Sequence, residues 1–331
     1  MESLSMLSGL GLAASSFLTI KLACFLFLYT RPSSLDKYRY GKEPWAFVTG
    51  ASDGIGYALA QELAANSFNV VIHGRNSAKL ENCRSQLAKD YPALSFRVVV
   101  ADASTSSNGE IQDIVDSLSN LNLTVLVNNV GGGSICKPLN EHTPQEVDAL
   151  MDLNARFPIQ LTRALLPGFI EKSGPTLIIT IGSLGADFGV PYAVPYGSSK
   201  SFNMCMSACL DIEMRSEGHR IEALGIPVGN VTDVAHKKDP ATFFTPDART
   251  MARATLARVG CGKAIAIGYA GHAVQKFWLG LLPNAVVESF IVPNMKRYRE
   301  TTAIRRDVTL KMDIDAASED AGMFCGLQSG T

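Results

Sequence analysis

Apolar and polar positions divide this 331-residue chain into three stretches of different rhythm. From Leu4 to Tyr29 nearly every position is apolar or small, and Lys21 is the one charge inside the run. The run meets the ~20 residues needed to cross a bilayer core, so it predicts a transmembrane helix within an amino-terminal anchor, residues 1–30. Glu2, standing where a signal peptide carries positive charge, and the length of the run argue against a cleaved leader. A segment lying in the membrane surface stays open as an alternative. Residues 31–43, with Pro32-Ser33-Ser34, read as a linker. Arg31, Lys37, Arg39 and Lys42 there put the following domain on the cytoplasmic side by the positive-inside rule.

From 44 to 270 the rhythm changes to short β-branched runs alternating with helical stretches. Strands are predicted at Trp45–Thr49, Asn69–His73, Phe96–Ala101, Thr124–Asn128, Thr176–Ile181, Arg220–Ile226 and Ala264–Gly268. Such alternation predicts one α/β domain built on a doubly wound parallel sheet of about seven strands. Residues 271–304 form an apolar carboxyl-terminal extension, in which Phe277–Pro293 is interrupted by Pro283, Asn284 and Glu288. Those breaks suit it poorly to span a bilayer alone; it walls a substrate site, touches the membrane, or packs as an ordinary helix pair. A polar tail, 305–331, follows.

Composition sharpens this outline in three places. The chain is 47% apolar and 18% charged, against about 25% charged in average soluble domains, in keeping with contact with lipid. A net charge of −1 argues against nucleic acid as a partner. Seven scattered cysteines without a Cys-x-x-Cys pair predict free thiols rather than disulfides. Five histidines (His73, His142, His219, His236, His272) without ligand spacing predict no metal site.

Immediately after the first strand comes Thr49-Gly50-Ala51-Ser52-Asp53-Gly54-Ile55-Gly56, leading into the helical pattern Tyr57–Asn66. Strand, glycine turn and helix in that order make a Rossmann-type dinucleotide cradle. Gly50 and Gly54 admit a pyrophosphate close to the backbone, and Gly56 allows tight helix-to-strand packing. Ser52, Asp53 and Ile55 belong to the same turn. The second strand ends His73-Gly74-Arg75, with a cation where an acidic residue would accept from an unphosphorylated ribose. Arg75 therefore favours NADP(H), and Asp102, closing the third strand, meets either the adenine edge or a helix start.

Tyr196 and Lys200 stand four residues apart, on one face of a helix. A neighbouring ammonium is expected to lower the phenol from its usual pKa of ~10 and so make it an effective proton donor. Ser183, thirteen residues before Tyr196, can bond the same substrate oxygen. Met204, Cys205, Met206, Cys209 and Met214 further along that helix suit core or subunit contact. Asp233–Pro246, with Phe243 and Phe244, reads as a substrate lid.

Together the Thr49–Gly56 turn, Asn128-Asn129-Val130-Gly131, Asn154, Ser183 and the Tyr196/Lys200 pair resemble the short-chain dehydrogenase/reductase superfamily, over about Trp45 to Gly268. The resemblance implies a carbonyl reduction in which Tyr196 protonates the oxygen, Ser183 orients it and Lys200 holds the nicotinamide ribose. It further implies that Asn154 supports a proton-relay water, Asn129 braces the central strands, and Pro227, Val231 and Thr232 contact the nicotinamide region. With the membrane segment, the chain is most similar to very-long-chain 3-oxoacyl-CoA reductases and 17β-hydroxysteroid dehydrogenases, NADPH enzymes of the endoplasmic reticulum. That similarity implies a long-chain acyl-CoA or steroid-like ketone, membrane lipid and a homodimer as the partners to test. Two departures leave room for a reductase of specialised metabolism. Val228-Gly229-Asn230 follows Pro227 where that branch carries an aromatic residue, and Gln328–Thr331 holds no dilysine signal.

Overall fold

The computed structural model describes residues 2–132, 136–172, 174–234 and 238–301. The tail 305–331, with Cys325, and His236 in the expected lid lie outside them. Helix α1 (Glu2–Thr30) contains a 22-residue window, Gly9–Thr30, of mean hydropathy 1.8 with none of it buried. Its carboxyl end is welded to the body. The Tyr29 hydroxyl donates to the Ile267 carbonyl at 2.8 Å, Ser33 to that of Leu256 at 2.6 Å, and Arg258 stacks 4.6 Å over the Tyr29 ring while donating to Leu28. The expected linker is no loose tether either: a 3₁₀ turn, Leu35–Tyr38, buries Leu35 and Tyr38 in the core.

The sheet follows as β1 (Pro44–Val48), β2 (Asn69–Gly74), β3 (Phe96–Val100), β4 (Asn122–Asn128), β5 (Thr176–Ser183) and β6 (Ile221–Val228), all parallel, in the order β3-β2-β1-β4-β5-β6. This is the doubly wound order, with its switch point between β1 and β4. Sequence reading expected a seventh strand at Ala264–Gly268; the structure reduces it to one parallel bridge, Ile265 to Gly225. Two hydrogen bonds to Gly225 hold it before the chain turns away, too few for a ladder.

Alternation along each strand feeds two cores. On one face Val48, Ile72 and Ile179 pack under α2 (Gly54–Ala65) and α9 (Ala248–Leu256). On the other, Phe47, Val71 and Ile178 meet α4 (Asn108–Leu118) and α6 (Phe157–Ile170). Continuous burial of β1, β2 and β4 is what a sheet covered on both faces requires. Helix α3 (Ser77–Asp90) joins β2 to β3, and α5 (Pro144–Met151) runs into α6 through a π turn, Asp152–Arg156. A short helix α7 (Gly185–Phe188) leaves β5, and α8 (Val194–Ser216) precedes β6. The extension forms α10 (Ala270–Gly280) and a last helix over 284–301.

Candidate active site

At the switch point the glycine turn is shaped by contacts that admit no side chain. Gly50 has φ +65°, and a Cβ there would lie 2.8 Å from the Val130 Cα; one on Gly56 would lie 2.1 Å from the Gly50 carbonyl oxygen. Gly54, φ +55°, opens α2, with Val234 lying against it. Helix α2 thus begins at Gly54, three residues before the expected Tyr57, and Asp53 caps it by accepting from the Gly54 N–H at 2.6 Å. The first-turn N–H groups of Ile55 and Gly56 have no intrahelical acceptor, a ready anion seat.

Asn129 joins the loop after β4 to the glycine turn. Its Nδ2 donates to the carbonyls of Thr49 and Gly50 at 3.0 and 3.1 Å. Thr49, which sequence reading left without a role of its own, is the knot beneath: its buried Oγ1 accepts from the Asn129 and Val130 N–H groups at 3.0 and 3.1 Å. Arg75 projects beyond β2, with 79% of its side chain exposed and Nη1 3.9 Å from Asp102. Asp102 caps neither α4 nor any other helix among the described residues. It accepts from the hydroxyl and N–H of Ser104, which hold its carboxyl below the usual range, while Ser107 caps α4.

Tyr196 and Lys200 both lie on α8, and Ser183 ends β5 beside them. Ser183 Oγ accepts from the Gly185 N–H at 3.2 Å. The expected depression of the Tyr196 pKa is corrected here: burial raises it, the Ser183 hydrogen bond pulls the other way, and Tyr298 of the last helix adds an upward push. Lys200 is no counterweight, because its Nζ sits 6.0 Å from the phenol ring and donates to the Ile181 carbonyl at 3.2 Å. Burial draws Lys200 down to about 8, which leaves it mostly cationic at neutral pH. A phenol so placed stays protonated, the form that donates.

The π turn presents Asn154, fully buried, to the loop after β4. Its Nδ2 donates to the Gly132 carbonyl at 2.8 Å, and its Oδ1 accepts from the Gly132 N–H at 3.0 Å. A Cβ on Gly131 would lie 2.7 Å from the Lys200 Nζ and 2.8 Å from the Asn154 Oδ1, so that loop, Asn154 and Lys200 converge on one spot. Val231 and Thr232 are buried beyond β6; the Thr232 N–H donates to the Pro246 carbonyl at 2.9 Å and its hydroxyl to Asp239. Phe243 and Phe244 stack edge to face at 5.1 Å and remain largely exposed.

Sequence reading offered the extension as a wall, a membrane contact or a packed helix pair, and did not foresee its polar ties to the body. Arg299 lies 5.3 Å over the Tyr192 ring and 3.2 Å from Glu141, and Lys276 bonds Asp187 at 2.7 Å. These three contacts tie the extension to segments that flank Ser183 and Tyr196 in sequence and to the turn at Glu141. A surface cavity of about 530 Å³ lined by Lys42, Trp45 and Phe96 lies at the opposite, amino-terminal ends of the strands, away from all of this.

Comparison with known proteins agrees with the geometry. A very-long-chain 3-oxoacyl-CoA reductase of Scheffersomyces stipitis is 34% identical over 76% of this chain and 75% of its own. One of Kluyveromyces lactis is 29% identical over 94% and 92%. A short chain dehydrogenase of Shigella flexneri, solved with NADP, superposes with a TM-score of 0.60 at 22% identity, covering 69% of this chain and 95% of the other. The family model for short chain dehydrogenases matches residues 44–242, and with the parallel sheet it crosses the chain belongs to that family, an oxidoreductase acting between C=O and CH–OH.

Proposed function

We propose that the protein is a membrane-anchored, NADPH-dependent reductase of long-chain 3-oxoacyl-CoA thioesters. The observation that carries this is the convergence of Ser183, Tyr196 and Lys200 beside the glycine turn, in a chain whose relatives act on such thioesters by name. The residues fit the cofactor: the opened first turn of α2 suits a diphosphate, and the exposed Arg75, 3.9 Å from Asp102, would meet a 2′-phosphate. Asp102 would meet the adenine side of the cofactor, and Lys200 with the loop around Val231 and Thr232 would meet its nicotinamide side. Bound there, NADPH supplies hydride to the carbonyl carbon. Tyr196 gives its proton to the developing alkoxide, and Ser183 donates to the same oxygen and holds it in line. Lys200, buried and bonded to the Ile181 carbonyl, would hold the nicotinamide ribose beside Tyr196. Asn154 holds the Gly131-Gly132 backbone and stands where a water could return the proton.

Helix α1, apolar and with no residue of Gly9–Thr30 buried, supports anchoring in the endoplasmic reticulum membrane with the catalytic domain in the cytosol. Phe277, Trp278 and Leu281, exposed on the extension, support lipid contact there as well. A homodimer would pack the apolar groove of about 350 Å³ between α6 and α8, lined by Ile159, Leu166, Phe202 and Leu210. The test follows NADPH absorbance in membranes bearing the full chain, offering 3-oxohexadecanoyl-CoA, a steroid ketone and a small ketone side by side. Turnover with the thioester is expected; oxidation of NADPH by the steroid alone would transfer the reading to the hydroxysteroid branch, and none with any would overturn it.

A further inference from the structure

Val228-Gly229-Asn230 breaks the pattern expected after Pro227, and the structure gives the break a reason. His272, in the first turn of α10, is fully buried against this loop. The Gly229 N–H donates to its Nδ1 at 3.2 Å, and its Nε2 lies 3.1 Å from the Asn230 carbonyl. Since Nδ1 accepts, it is bare, and Nε2 must carry the proton that Asn230 accepts; both contacts hold only in that neutral tautomer. A Cβ on Gly229 would lie 2.9, 3.0 and 3.2 Å from ring atoms, so the imidazole fills the space a side chain would need. Irregular backbone between β6 and Val231 thus has one N–H and one carbonyl satisfied by a single residue of the extension.

The same helical turn carries a second wall of the site. Tyr269 meets His272 edge to face at 5.4 Å and Phe243 at 6.3 Å, and a Cβ on Gly271 would lie 2.1 Å from the Phe243 carbonyl oxygen. The loop leading to Val231 and Thr232 and the Phe243 segment of the lid therefore rest on one support.

We propose that His272 is a positioning residue for hydride transfer: its imidazole sets the backbone of Gly229 and Asn230, and so couples the carboxyl-terminal extension to the nicotinamide side of the site. This rests on the reading of that loop as the nicotinamide contact. His272 touches neither substrate nor reacting atoms, and its effect passes through the backbone it holds.

The test uses the full-length protein in membranes, with NADPH and 3-oxohexadecanoyl-CoA, and compares kcat, KM, melting temperature and the deuterium isotope effect from NADPH labelled at C4. His272→Phe keeps the bulk and loses both hydrogen bonds; kcat is expected to fall about tenfold to a hundredfold, as small misplacements do. The thioester KM should hold and the isotope effect should rise. His272→Asn restores an acceptor for the Gly229 N–H and should recover most of the lost kcat. Gly229→Ala should match His272→Phe, while Gly229→Ala with His272→Ala should be no worse than His272→Ala alone, because the ring it collides with is gone. A native kcat and isotope effect in His272→Phe, or losses that multiply in the double variant, would overturn the proposal. Tyr196→Phe in the same assay separates the two readings. If it is inactive while His272→Phe is native, only the coupling fails; if it turns over normally, the catalytic centre itself is misassigned.

Discussion

The two sides of the site are held by different means. On the cofactor side, residues Thr49 to Gly56 and Asn128 to Val130 are fixed by backbone contacts at glycines and by two polar side chains, all from neighbouring loops at the switch point. On the side covered by the extension, loops are held by single side chains reaching from far along the chain: His272 to Gly229, Lys276 to Asp187, Arg299 to Glu141. The first arrangement tolerates almost no change of residue. The second can be rebuilt one contact at a time, which is how one scaffold comes to serve different ketones.

Perturbing the shared centre should have the largest effect. Tyr196→Phe removes the proton donor and should lower kcat about 10²–10⁴-fold with the melting temperature unchanged; a variant with native turnover would break the account of both sides. Next, Gly56→Ala drives a Cβ into the Gly50 carbonyl and Asn129 and should cost about 3 kcal/mol, read by chemical denaturation. Acid should weaken the cofactor side comparably. His73, fully buried between Phe47 and Phe157, has its pKa lowered by burial from 6.5 to about 4. The folded state therefore prefers the neutral ring: its stabilisation is whole above pH 6.5 and is lost as pH falls toward 4, on the order of 3 kcal/mol in all. His73→Phe should flatten that part of the stability profile.

Arg75→Ala should narrow the preference for NADPH over NADH about tenfold, measured as the ratio of kcat/KM values, because it removes one charge-assisted contact. Smallest of all, Arg299→Ala severs a half-exposed ion pair and should change stability by less than about 1 kcal/mol. A larger loss there would mean the extension is as rigid as the glycine turn and would dissolve the distinction.

That contrast also explains what the sequence disclosed. The cradle is legible because strand, glycine turn and helix are consecutive, and each glycine answers a local steric demand. Tyr196 and Lys200 are legible because helical period alone puts them on one face. The sheet is legible strand by strand except at Ala264–Gly268, where β-branched character exists but only a single bridge forms. The balance of burial and charge at Tyr196 is not legible, since it depends on how deeply α8 sits and on Lys200 bonding the Ile181 carbonyl instead. His272 lies 43 residues from Gly229, with no periodicity to join them, and reads as one histidine among five. Nor does anything near Asp152 announce the π turn.

That turn sets the phase of a long helix. Each residue added to an α-helix rotates everything after it by about 100°. By carrying a wide turn at Asp152–Arg156, the chain lets α5 face its own neighbours while α6 meets the sheet, and Asn154 points inward at the changeover. Excising one residue from this stretch would give a more regular helix and a misaligned enzyme, with either Asn154 or Phe157 and Leu161 turned off target. Irregularity here acts as a gear tooth, keeping a catalytic neighbourhood and a hydrophobic core in register along one continuous rod.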